Sequence, residues 1–292
     1  MIVATVPWPD EWSRRRRIGL YVAFSYLGLM GVVSLYFGVA GLVAGEFAHV
    51  PVLLVGGAFC LLVVVQGALT RLFVPRGATR AIRSATLPET REAVVVFPYS
   101  ASQFWLFFGQ AAIVLCGVAV PIAAASVAAA LDAQDASSMT LAFASLVAVG
   151  YLTALIAQFF GKKIARGYVA VGPAGIYHRS WAFTSFAPWQ HVIDVWPFED
   201  NDRIIRVQVA ANPEGWTRRT SRFWKQPESS FGPSLTVRTR YLSVDPALVY
   251  HAMQFYFNNP RARSELSGDA AVRRLKRADI PVPSRRLRGG TR

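Results

Sequence analysis

A bundle of four transmembrane α-helices, followed by a C-terminal all-β domain closed by one α-helix, is the fold class that the sequence predicts. Three features predict it. Four apolar runs, 18–45, 51–70, 104–131 and 139–161, contain no charged residue, and each reaches the about 20 helical residues that cross a bilayer core. All 31 basic residues fall on one side of those runs. After Arg166 the long runs give way to short β-type segments separated by turns.

The chain joins an apolar fraction of 53 % to a net charge of +14 over 292 residues. The two properties are segregated, with charge between and behind the apolar runs. Residues 1–17 form the first flank and end in "RRRR" at 14–17. The run 18–45 is much longer than the apolar core of a cleaved leader, so it reads as a retained signal anchor. Arg71, Arg76, Arg80, Arg83 and Arg91 lie in the connection 71–103, and Lys162, Lys163 and Arg166 follow the fourth run. The opposite connections, "EFAHV" and "DAQDASS", carry no Lys or Arg. Basic residues are retained on the cytoplasmic side, so both termini and the β-type region are expected there. The alternative, buried helices of a soluble core, would require four all-round apolar helices without a polar stripe.

Within the runs the polar groups are Gln66, Gln110 and Gln158, near the expected cytoplasmic boundary, with Tyr21 and Ser25 at similar depth. An unpaired amide in hydrocarbon costs several kcal/mol, so the three glutamines are expected to form a hydrogen-bonded intramembrane layer. A polar ligand site between the helices is the functional alternative. Small residues recur at Gly28, Gly31, Ser34, Gly38, Gly41 and Gly45. Gly41 and Gly45 have the GxxxG spacing, which serves helix packing within the chain or between copies. Pro121 is expected to kink the third helix. Cys60 and Cys116 lie in apolar runs without metal-ligand spacing. The stretch "AVVVF" at 93–97 is either a strand that joins the β region or the approach to the third helix.

The β domain is expected over 166–260. "GYVAV", "IYHRSWAF", "TSFAPW", "HVIDVWPF", "IIRVQV", the basic stretch "EGWTRRTSRFWK" and "SLTVRTRYL" make about seven strands, a number that suits a small antiparallel sandwich or barrel. In "SVDPALVYHAMQFYFNNP", Asp245 can cap a helix with Pro246 at its first position. Leu248, Ala252, Met253 and Phe255 would make its apolar face, and Asn258, Asn259 and Pro260 would stop it. The segment 261–292, with eight basic residues from Arg273 onward, reads as a largely disordered polybasic tail.

Seven strands closed by a C-terminal helix is the pleckstrin-homology (PH) order. "GYVAVGPAGIYHRSWAFTSFAPWQHVIDV" resembles the opening of bacterial PH-like domains attached to membrane helices. "DPALVYHAMQFYFNNPRARSEL" is similar to the closing helix of such proteins from actinobacteria. The resemblance covers about 166–266 and implies a PH-like fold and a bacterial inner-membrane location more than an activity. The basic insertion 212–233 departs from the family pattern.

Basic residues interleaved with rings can bind single-stranded nucleic acid or the headgroup layer of a bilayer. A module joined to a membrane helix by a few residues has the cytoplasmic leaflet as its nearest polyanion. Trp216, Arg218, Arg219, Arg222, Phe223, Trp224 and Lys225 are therefore the expected lipid- or partner-binding residues, and nucleic acid is not expected. No catalytic set stands out. His49, His178, His191 and His251 are scattered, Asp194, Glu199, Asp200 and Asp202 cluster near one β-turn, and "GPAG" precedes no helix. No metal and no cofactor are expected. The chain reads as a non-enzymatic membrane protein whose β domain binds a partner protein, anionic headgroups or both, as an accessory or regulatory subunit. Its partners would include the bilayer and either a membrane protein or a second copy of the chain. A small transporter, or a lipid-handling enzyme with its site at the cytoplasmic end of the helices, is the alternative.

Overall fold

The computed structural model describes residues 6–12, 18–45, 49–87, 90–133, 135–199, 202–210, 215–224, 226 and 234–281. The basic cluster 14–17, Asp200, Lys225 and the tail from 282 lie outside the described residues. The chain forms two compact units. One comprises Arg15–Phe73 and Ala101–Ala165; the other comprises Met1–Arg14, Val74–Ser100 and Arg166–Arg292.

The first unit is helical: α1 (Ile18–Ala44), α2 (Val50–Arg71), α3 (Ala101–Val114), α4 (Val120–Ala133) and α5 (Ala136–Phe160). A π-helical turn, Leu115–Ala119, joins α3 to α4 into one span. The four spans run 27, 22, 32 and 25 residues, enough to cross a bilayer core of about 30 Å. At most 17 % of the most apolar stretch of any span is buried. Helices of a soluble core would hide most of that surface; these turn it outward, as lipid-facing helices do. Four such helices make this a multi-pass membrane protein.

Helices α1 and α2 meet through glycine. A Cβ on Gly57 would stand 2.8 Å from the Gly31 carbonyl oxygen, and one on Gly38 would stand 2.7 Å from Leu54 Cδ2. Gly31 and Gly38 are two helical turns apart and so share a face. Gly45 of the GxxxG pair is not part of this contact: it ends α1 at φ +76°, with nothing within 4 Å of its Cβ position. Gly57→Val should cost about 1–3 kcal/mol by overpacking and lower the thermal midpoint of the chain in mild detergent. Gly56→Val, with nothing within 4 Å, should leave the midpoint unchanged. Equal midpoints for the two variants would contradict the packing.

The third span does not stop at Pro121. Its irregularity is the π-turn just before the proline, where the Val120 amide bonds to the Leu115 carbonyl. A proline ring clashes with the carbonyl four residues back, here that of Gly117, and a widened turn relieves that crowding. Gly117 also lets the turn approach α2, where an added Cβ would meet Val55 Cγ1 at 2.5 Å. Phe104 and Phe108 of α3 pack on Phe159 of α5 at 5.4 and 5.0 Å, joining the start of one helix to the end of the other. Asp135 caps α5 by accepting from the Ser138 amide at 2.8 Å.

The second unit holds two antiparallel sheets. The larger has the order β1 (Arg83–Thr86), β2 (Ala93–Pro98), β3 (Tyr168–Val171), β4 (Gly175–Arg179), β5 (Phe183–Pro188) and β8 (Trp216–Arg219). The smaller has β6 (Val192–Glu199), β7 (Arg203–Val209) and β9 (Ser234–Arg238). Among the described residues, seven strands follow Arg166, while β1 and β2 come from the connection 71–103. The unit is thus wider than 166–260, and "AVVVF" is a strand of its sheet. β2 is apolar throughout because both its faces are covered. Val95 and Phe97 are buried on one side, and Val94 and Val96 cluster with Leu87, Ala170 and Tyr177 on the other. The segment "IYHRSWAF" is interrupted: β4 ends at Arg179, and a turn leads into β5 with the Ser180 amide bonded to the Phe183 carbonyl.

Helix α6 (Pro246–Asn258) has the expected cap. Asp245 Oδ1 accepts from the Ala247 amide at 2.9 Å, with Pro246 in the first turn. Leu248, Ala252 and Met253 are buried as expected, but Tyr256 rather than Phe255 completes the buried face. The described part of the tail, 261–281, is folded. A 3-10 segment (Pro260–Ser267) leads to α7 (Asp269–Lys276), and Leu266, Ala271, Val272, Leu275 and Ile280 are buried. Tyr256 donates to Glu265 at 2.8 Å, and Arg274 grips the same carboxylate with two bonds of 3.0 and 3.2 Å. Over 261–281 the expectation of disorder fails, because apolar residues alternate with the basic ones and bury one face; 282–292 lie outside the described residues.

Candidate functional site: a basic and aromatic sheet edge

Among the described residues, the basic stretch forms an edge strand, β8, and a pinned turn. Trp216, Thr217, Arg218 and Arg219 pair with Phe186, Ser185, Thr184 and Phe183 of β5. Side chains fix the register: Ser185 Oγ and Thr217 Oγ1 lie 3.0 Å apart. Beyond the strand, the Thr220 and Ser221 amides both bond to the Ala182 carbonyl, Ser221 Oγ accepts from the Trp224 amide, and Gln226 Oε1 accepts from the Ala182 amide. The turn is thereby tied to the β4–β5 hairpin. Trp216 and Phe223 stay 37 % and 52 % exposed, and Arg218, Arg219 and Arg222 are exposed. Trp224 is half-buried, edge-on to Trp181 at 6.1 Å. The described members of the expected binding set are therefore brought together, with Trp224 serving as anchor more than as probe.

Register shows which end of the sheet carries these groups. Pro98 of β2 faces Tyr168 of β3, and the same line continues through Arg179 and Thr184 to Arg218. The chain leaves the β unit at this end, since α3 starts at Ala101 and α5 ends at Phe160. The adjoining line on the same face runs Arg83, Val96, Ala170, Tyr177, Phe186, Trp216. Tyr177 stacks on Phe186 at 4.3 Å, and Phe186 approaches Trp216 at 6.3 Å. Arg166 stands at the exit and donates to the Tyr99 carbonyl. Burial, and then the nearby Arg83 guanidinium, lower its pKa. Cationic groups thus crowd one end of the sheet.

Behind the edge lies a buried train of rings: Trp181 packs on Tyr241 at 4.8 Å, and Tyr241 packs on Tyr99 at 5.8 Å. The Tyr99 hydroxyl lies 2.7 Å from His178 Nε2. His178 is buried, its pKa lowered to about 3 by desolvation, and its Nδ1 has no hydrogen-bond partner. It is a neutral core histidine.

In the helical unit, Gln110 and Gln158 are buried and Gln66 is half-buried. Gln158 Nε2 donates to the Ala154 carbonyl of its own helix at 3.3 Å, and Gln110 Nε2 has no hydrogen-bond partner. Asp202 accepts from the Arg203 amide and pairs with Arg240 at 3.0 Å and Arg238 at 3.9 Å, a structural use of the acidic turn. Among the described residues, no group of three or more His, Cys, Asp or Glu is placed to hold a metal ion.

Sequence reasoning passed over Trp8 and Trp12, which dock on the β unit, and Glu92. Glu92 accepts from the Tyr177 hydroxyl and the Ala174 amide, both at 3.0 Å, and so locks the "GPAG" turn. The "WPDEW" at 8–12 was a visible signal, two tryptophans around two acids in a basic chain. Compared with known proteins, the chain stands apart: no family model, curated protein or solved structure matches it.

Proposed function

We propose that this chain is a non-enzymatic membrane protein whose β unit is PH-like, lies on the cytoplasmic side of a bacterial inner membrane, and binds anionic lipid headgroups or an acidic partner through its basic edge. The observation that carries this reading is the shared register line of Pro98, Tyr168, Arg179 and Arg218. Two residues separate Pro98 from α3, and seven separate α5 from Tyr168. Tethers that short keep this sheet end within reach of the leaflet, whatever the tilt of the unit. A basic group near an anionic leaflet gains about 1 kcal/mol. Arg218, Arg219 and Arg222 together would then contribute about 3 kcal/mol, while Trp216 and Phe223 enter the interface. The charge asymmetry of the connections supports the orientation.

A probe on Phe223→Cys, in chain carrying Cys60→Ser and Cys116→Ser, tests the lipid contact. Reconstituted in phosphatidylcholine vesicles containing phosphatidylglycerol, an environment-sensitive fluorophore there should shift to the blue relative to pure phosphatidylcholine. Neutralising Arg218, Arg219 and Arg222 to Gln should abolish that difference. Identical emission in both vesicle types would contradict lipid binding and leave an acidic partner as the ligand of the edge.

A further inference from the structure

Residues 6–12, ahead of the first apolar helix, are seated on the β unit. Val6 and Trp12 are 7 % and 3 % exposed. The guanidinium of Arg76 stands 4.6 Å from the Trp8 ring centroid and that of Arg203 stands 4.9 Å away, a cation–π arrangement. Trp12 meets Trp8 edge-on at 5.5 Å and approaches Tyr250 of α6 at 6.1 Å. The Pro7 carbonyl lies 2.9 Å from His251 Nε2. A carbonyl can only accept, so Nε2 carries the proton and Nδ1 is left as a bare acceptor. Arg76 comes from the connection between helices, Arg203 from β7, and Tyr250 and His251 from α6, so three separated segments build the seat.

One feature sets this contact apart from the strand pairing that builds the rest of the unit. No strand pairs with residues 6–12 among the described residues; ring contacts and the Pro7 carbonyl are among the interactions that hold the segment. The seat also contains a buried donor and a buried acceptor without hydrogen-bond partners, Trp12 Nε1 and His251 Nδ1. Charge defines the ligand: Asp10 and Glu11 are exposed on the segment, and arginines flank the seat.

We propose that this seat is a peptide-recognition groove for extended, acidic segments bearing tryptophan, and that residues 6–12 occupy it in cis as a built-in competitor. A partner carrying such a segment displaces residues 6–12. The groove is distinct from the basic edge and does not depend on that edge binding lipid. An occupied site lowers the apparent affinity for an incoming ligand in proportion to the fraction of time it is open.

The test uses a fluorescent synthetic peptide of residues 1–14 and the full chain in mild detergent, with or without residues 2–12. The truncated chain should bind the peptide saturably, at least about tenfold more tightly than the intact chain. A peptide with both tryptophans replaced by alanine should not bind. Equal binding to both chains, or binding to neither, would overturn the proposal. A truncated chain that fails to fold would also overturn it, because the segment would then be a fixed part of the core. In the intact chain, Trp8→Ala should open the seat and raise peptide affinity; unchanged affinity would count against cis occupancy.

Discussion

Asp245→Ala should destabilise the β unit by about 3 kcal/mol. Asp245 is 2 % exposed and serves two purposes. Its Oδ1 caps α6 through the Ala247 amide at 2.9 Å, and its Oδ2 accepts from the Gly77 amide at 2.7 Å. Its own amide donates to the Ala78 carbonyl at 3.0 Å. Gly77 sits at φ +64°, a conformation that glycine adopts without strain, which lets the turn present its amide to the carboxylate. The residue therefore ties the connection that supplies β1 and β2 to the helix that closes the unit. Alanine leaves two amides without their acceptor, at about 1–3 kcal/mol each when buried. Asparagine keeps one acceptor oxygen and should cost about half as much. Denaturant unfolding of the detergent-solubilised chain should rank wild type above Asn above Ala; variants that unfold together with wild type would contradict the dual role.

Acid should weaken the same unit through His178. Desolvation lowers its folded-state pKa to about 3, against about 6.5 in an unfolded chain. Between these values the unfolded chain binds a proton that the folded one refuses. The stabilisation is complete above pH about 6.5 and is lost as pH falls toward 3, by about 1.4 kcal/mol per pH unit. His251 acts in the same direction, its pKa lowered by burial and partly restored by the Pro7 carbonyl and Asp245. His178→Gln keeps a polar partner for the Tyr99 hydroxyl and removes the titration. Its stability should fall less steeply between pH 6.5 and 4 than that of the parent. Parallel curves would show that His178 does not carry the acid sensitivity.

The spans were legible because a bilayer makes one demand, an uninterrupted apolar run, and composition alone answers it. The seven strands after Arg166 and the Asp245 cap were legible because turns and caps are local. What escaped depends on distant partners. "AVVVF" is apolar on both faces, which suits a central strand and a helix approach equally; only pairing with β1 and β3 decides. In the tail, Leu266, Val272 and Leu275 are thinly spread among arginines, so charge obscured a buried face. On α1, Gly41 and Gly45 had the motif, yet Gly31 and Gly38 make the contact, because Gly57 of α2 sets which face is approached. At the candidate edge the residue types were right, but their rigidity was hidden. Ala182 and Gln226, which pin the turn, are ordinary residues whose partners lie about forty positions apart.

Sidedness is the claim on which the functional reading depends, and thiol labelling in intact cells tests it most directly. In chain carrying Cys60→Ser and Cys116→Ser, cysteine is placed at Gln208 of β7 or at His49 before α2, both exposed. A membrane-impermeant maleimide should modify the His49 position in intact cells and the Gln208 position only after lysis. Labelling of Gln208→Cys from outside intact cells would contradict a cytoplasmic β unit and, with it, the contact of its basic edge with the inner leaflet.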